Sequence, residues 1–137
     1  MRWMKRGLIA FSALGLLLAG ALAVNHVVET AQTRNFYSGR KILSAMYQAA
    51  RAAAEERRSS HGAAKSALMT LLPAGTPKTS ATSALSDESV TCERVRDARG
   101  DLVCGIWNQP AAVHNWHIEL RFDRDDKLAD ARVLILK

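Results

Sequence analysis

Val113-His-Asn-Trp-His-Ile-Glu-Leu-Arg-Phe-Asp-Arg-Asp-Asp-Lys-Leu-Ala-Asp-Ala-Arg-Val-Leu-Ile-Leu136 decides the fold. From Trp116 to Asp123 its hydropathy alternates with a period of two. Trp116, Ile118, Leu120 and Phe122 fall on one side, and His117, Glu119, Arg121 and Asp123 on the other. That is a strand with one buried and one wet face. Asp123-Arg-Asp-Asp-Lys127 contains a turn, and Leu128–Leu136 returns as a second strand. One register satisfies both faces. It sets Trp116 against Ile135, Ile118 against Val133, Leu120 against Ala131 and Phe122 against Ala129. On the other face it sets Glu119 against Arg132 and Arg121 against Asp130. A slip of one residue would put Leu120 opposite Asp130 and Ile118 opposite Arg132. The charged pairs are each worth ~0.2–1 kcal/mol. They lace a solvent face and do not form an acid–base couple.

A second hairpin precedes this one. Val90–Arg96 and Asp101–Trp107 read as strands, joined by Asp97-Ala-Arg-Gly100, with Asn108–Ala112 as the loop that follows. The turn centres near Ala98, so Cys92 and Cys104 stand opposite one another. Opposed strand residues have Cα atoms ~4.5–5.5 Å apart, within disulfide reach. In an oxidising compartment the two form a bridge. Two free buried thiols are the alternative. A zinc site is disfavoured, because two thiolates on one hairpin lack the further ligands that zinc requires.

Upstream the period changes to that of a helix. From Arg40, the residues Ile42, Leu43, Met46, Tyr47, Ala50 and Ala53 recur at spacings of three and four, and Glu55-Glu56-Arg57-Arg58 closes the segment. Ser60 reads as the N-cap of a second helix, about Ala63–Leu72, striped by Ala64, Ala67, Leu68, Leu71 and Leu72. Pro73-Ala74-Gly75 stops it. Thr76-Pro77 reads as N-cap and first turn of a short third helix reaching about Leu85.

At the N-terminus, Gly7-Leu-Ile-Ala-Phe-Ser-Ala-Leu-Gly-Leu-Leu-Leu-Ala-Gly-Ala-Leu-Ala-Val24 carries no charge, and Arg2, Lys5 and Arg6 stand in front of it. As a helix its roughly 18 residues would span ~27 Å, just enough for a hydrocarbon core of ~30 Å. Two readings remain open. The stretch is an uncleaved anchor, or it is a signal peptide cut after Ala21-Leu22-Ala23, before Val24. Both put the downstream part outside the cytoplasm by the positive-inside rule. No cysteine follows the small residues, which excludes a bacterial lipoprotein. Glu29 lies beyond the apolar run, unlike the acidic residue of a pilin leader. Asn25–Gly39 continues the helix as a stalk or forms a linker, with Gly39 as a break.

The 137 residues leave ~110 beyond this segment, enough for one small domain. The formal charge of +6 includes three cations before the apolar run, so the remainder is mildly basic and nucleic acid is not expected as a partner. His114 and His117, three apart on a strand, face opposite ways and cannot share a metal. His26 and His61 are isolated. Asp123, Asp125 and Asp126 resemble a fragment of a calcium loop without its distal Glu. Trp107 and Trp116 are core residues or an interaction surface. No catalytic residue, cofactor or metal is expected.

Leu71-Leu-Pro-Ala-Gly-Thr-Pro77, the short helix and cysteine-bearing strands after it, and Leu120-Arg-Phe-Asp-Arg-Asp-Asp-Lys-Leu128 resemble small exported two-layer domains of bacterial envelopes. The outer-membrane assembly lipoproteins of the BamE type are an example. The resemblance implies helices on one face of an antiparallel sheet, and protein binding or scaffolding rather than catalysis. The lipobox cysteine of those lipoproteins is missing and an extra helix precedes the domain, so a role in outer-membrane assembly does not carry over.

The expected fold is therefore α+β: an N-terminal membrane helix (1–28), a helical stem (29–60) and a compact domain (61–137) with an antiparallel sheet of about four strands in two hairpins. The expected role is a non-catalytic periplasmic domain, tethered to the inner membrane through Gly7–Val24, that binds an envelope protein. The alternatives are a periplasmic or secreted binding or inhibitor-like module released by cleavage, and a pilin-like subunit.

Overall fold

The computed structural model describes residues 2–95, 101–106, 109–110 and 113–136, with side chains from residue 19 onward apart from residue 25. Four helices precede a four-stranded sheet. The helices are α1 (Arg2–Tyr37), α2 (Lys41–Glu55), α3 (Ser60–Leu71) and α4 (Lys78–Ser86). The strands are β1 (Thr91–Arg94), β2 (Leu102–Gly105), β3 (Asn115–Phe122) and β4 (Leu128–Leu136). The sheet is an antiparallel meander in the order β1-β2-β3-β4. The class is α+β, as the periodicities require. The turn at residues 97–100 and Trp107 lie outside the described residues.

The sheet has one covered face. Leu102, Cys104, Trp116, Ile118, Leu120, Ala131 and Val133 are buried in a single core with Leu43 and Met46 of α2, Leu68 of α3, and Ala81 and Leu85 of α4. The segment expected as a stem thus contributes α2 to the same core as the sheet. On the opposite face, Glu93, Val103, Glu119 and Arg132 stand in one cross-strand row, and none is buried.

Cys92 pairs with Cys104 across β1 and β2, and the two are joined as a disulfide. Cys104 is fully buried, so the bridge staples the thin outer hairpin to the core.

The β3–β4 register agrees with expectation from Trp116 to Arg121 and departs at Phe122. Phe122 faces Leu128, and the register shifts between Arg121 and Phe122. Ala129 is the extra residue of a β-bulge and turns outward. Leu128 is 1% exposed, so the bulge buries a leucine where the expected register would have buried an alanine. Two contacts hold it there. The Asp123 N–H donates to the Lys127 carbonyl at 2.8 Å, and Leu128 exchanges backbone bonds with Gly75 and Thr76 at 2.7 and 2.8 Å.

Two helix starts also differ from expectation. Ser59, not Ser60, caps α3, its Oγ accepting the Gly62 N–H at 3.2 Å. Ser59 has the extended backbone that an N-cap needs, and Ser60 is already helical. The α4 cap is Pro77 rather than Thr76. The Thr76 carbonyl is engaged with β4 and its hydroxyl donates to the Pro73 carbonyl at 2.6 Å, so it serves the loop and not the helix.

Gly39, at φ +77°, ends α1 in the left-handed region, as its place in the sequence suggests. Residues 7–24 fall on α1. Among the residues whose side chains are described, from residue 19 onward, no helix is long and apolar enough to cross a membrane.

Candidate functional site

The carboxyl end of α1 is locked onto the domain. Tyr37 is buried, and its hydroxyl accepts the Trp116 indole N–H at 3.0 Å. Its ring stacks on Tyr47 of α2 with centroids 4.5 Å apart. His114 packs against both Tyr47 and Trp116, at 5.4 and 5.6 Å. Arg40 completes the joint. Its guanidinium lies 4.4 Å over the Phe36 ring and donates to the Phe36 carbonyl, and its Nε donates to the Glu88 carbonyl at 3.1 Å. The last turn of α1, the start of α2 and the end of α4 are thereby held as one unit. Burial pushes the Tyr37 hydroxyl up to about 12. Burial also lowers the His114 imidazole below its ordinary value, so this histidine is disfavoured as a cation.

Away from that joint the described side chains of α1, from residue 19 onward, are mostly exposed. Leu22, Val24, Val27 and Val28 are exposed, three of them by more than 60%. Below them a polar groove of about 780 Å³ runs between α1 and α2, lined by His26, Glu29, Arg34, Tyr47, Gln48 and Arg51 among others.

A second groove, about 420 Å³, follows the outer edge of the sheet. The start of α3 supplies His61, Gly62 and Lys65, and the sheet supplies Glu119, Arg121 and residues 130–134. The Lys65 ammonium lies 2.8 Å from the Asp130 carboxylate and holds its pKa below the ordinary value. Glu119 is 3.8 Å from Arg132 and 3.2 Å from the His117 ring.

The candidate chemical groups of the sequence are dispersed. His114 precedes β3 and sits in the aromatic joint, while His117 lies on the open face. Asp123 closes its own turn, one carboxylate oxygen accepting the Asp125 and Lys127 amides at 2.9 and 3.0 Å. Among the described residues no group of three or more His, Cys, Asp or Glu side chains is placed to hold a metal. Trp116 is 1% exposed and packs in the core, the first of the two roles expected of it.

Sequence reading did not single out Tyr37, Glu88 or Lys65. All three act through partners at least 45 positions away or on another element, so no local pattern marks them. Comparison with protein-family models, with characterised proteins and with solved structures finds no match to this chain.

Proposed function

We propose that this chain is a tethered domain of the bacterial cell envelope: α1 is its inner-membrane anchor and stalk, and the domain on the periplasmic side binds a partner protein without catalysing a reaction. The observation that carries the reading is the bare apolar surface of α1 next to its locked end. Leu22, Val24, Val27 and Val28 find no cover in the fold, and exposed apolar side chains gathered on one helix call for lipid or protein around them. Upstream, residues 7–24 have no charged side chain and follow Arg2, Lys5 and Arg6, the pattern of a span whose amino end stays in the cytoplasm.

Thirty-six residues of helix measure ~54 Å. A ~30 Å hydrocarbon core would take about twenty of them, leaving a stalk of a few turns. The disulfide supports an oxidising location. Three acidic side chains have structural employment: Glu88 caps a helix, Asp123 closes a turn, and Asp130 pairs with Lys65. That supports binding over chemistry. The fold by itself assigns no activity, and assembly of outer-membrane proteins is not part of the proposal.

In-cell crosslinking of the full chain tests the partner. The expected result is a reproducible crosslink from the domain to an envelope protein. Recovery of only random abundant proteins would overturn the reading.

A further inference from the structure

We infer that the outer edge of β4 receives an extended acidic segment of the partner as a fifth strand; this rests on the protein-binding reading above. The order of the sheet leaves β1 and β4 as edges. β1 has only four residues, whereas β4 has nine.

The hydrogen-bond phase of the sheet tells which groups β4 offers. The Val95 N–H donates to the Asp101 carbonyl at 3.1 Å. Counting from that bond through the registers, odd positions pair β1 with β2, even positions pair β2 with β3, and Glu119 with Arg132 pairs β3 with β4. The amides and carbonyls of Val133 and Ile135 therefore point away from the sheet. Near Leu128 the same edge is already occupied by Gly75 and Thr76. The fold thus demonstrates pairing at one end of this edge, and among the described residues no backbone bond occupies the other. Long uncovered edges are normally blunted; this one ends in Leu136, 46% exposed.

The 420 Å³ groove lies where an added strand would run, between β4 and the start of α3. A strand edge with a helix alongside is a recurrent way to bind extended peptides. Its charge selects the occupant. His61, Lys65, Arg121 and Arg132 line it against Glu119 and Asp130. Lys65 and Arg132 are met by those two carboxylates, and exposed Arg121 stands across the β3–β4 pair from Asp130, which it shares with Lys65, so the two carboxylates face Lys65, Arg121 and Arg132 and basic charge is in excess. The segment that fits alternates acidic residues, facing Arg121 and Arg132, with apolar ones.

A second copy fits less well. Two β4 edges paired about a twofold axis match Asp130 with Arg132 only when the axis passes through Ala131. That register drives residue 134 of the other copy into the place held by Gly75 and Thr76. Moving the axis to Arg132 opposes two arginines, and moving it further toward Leu136 sets Arg132 against leucine.

The test uses the full chain in detergent micelles and the peptide acetyl-Glu-Val-Asp-Val-Glu-Val-amide, followed by amide NMR and hydrogen exchange. The expected result is saturable binding that slows exchange at Val133 and Ile135 at least tenfold. Arg121→Glu should weaken binding at least threefold, and Val133→Pro, which removes an outward donor, should abolish it. Should Val133→Pro not fold, the Arg121→Glu result decides. No binding at millimolar peptide overturns the inference, as does equal binding of the peptide with lysine in place of the acids. Shifts of the same amides with protein concentration alone would assign the edge to a second copy and overturn the choice of occupant. If crosslinks reach an envelope partner through another surface, this inference fails and the protein-binding reading stands. If no partner is crosslinked, that reading fails too.

Discussion

The Glu88 carboxylate accepts the Ile42 amide at 2.6 Å and the Leu43 amide at 2.8 Å, so α2 is capped by a residue 46 positions downstream of its first turn. Arg40, the residue at the N-cap position, makes no side-chain cap bond. Glu88 is 6% exposed. Its charge is matched by the free N–H groups and the positive end of the helix dipole. Glu88→Ala would leave two buried donors without partners. It should cost ~2–4 kcal/mol, read as a lowered denaturant midpoint at unchanged slope.

At the other end of α2, Arg57 stands at φ +56°. Its amide bonds the Ala54 carbonyl and the Arg58 amide bonds the Ala53 carbonyl, the pair of bonds that ends a helix in a left-handed residue. Glycine reaches that conformation without strain. Arg57→Gly should raise stability by ~0.5–1 kcal/mol in thermal unfolding. A loss of stability would show that the arginine side chain supports the fold in another way.

The Cys92–Cys104 bridge closes a short loop, with a sequence separation of twelve. Loop-closure entropy gives it ~2–3 kcal/mol. Replacing both cysteines with serine should lower stability by that amount or somewhat more, since Cys104 is fully buried. Hydrogen exchange should rise first in β1 and β2. An unchanged midpoint under reducing conditions would contradict the staple.

Tyr37 links α1 to the sheet through Trp116, and its pKa is raised to about 12. A folded-state pKa above the unfolded value of ~10 means that the folded chain holds this proton more tightly. The contribution is fully present below pH ~10 and is lost as pH rises toward 12. Tyr37→Phe has no such proton to lose. Its stability should decline less steeply between pH 10 and 12 than that of the parent, after an offset of ~1–2 kcal/mol for the orphaned indole donor.

The sequence carried the second hairpin well because its two faces argued independently. Apolar pairs and charge pairs agreed on one register from Trp116 to Arg121. Ala129 escaped because alanine is small and ambivalent; only the bonds that Leu128 makes to Gly75 and Thr76 reveal the bulge. The cysteine pairing was legible from turn symmetry alone. Glu88 was not, since Ser86-Asp-Glu-Ser89 reads as an ordinary polar link, and its role exists only after α2 and α4 have packed. The edge groove was equally hidden. Lys65 is one charged position on a helix until α3 comes to lie beside β4.

The tether is tested most directly by the intact mass of the protein in membrane and soluble fractions of the producing cell. The account predicts a membrane-bound species with residues 1–23 still attached, released by detergent and not by high salt or alkaline washing. A soluble species whose first residue is Val24 would contradict it.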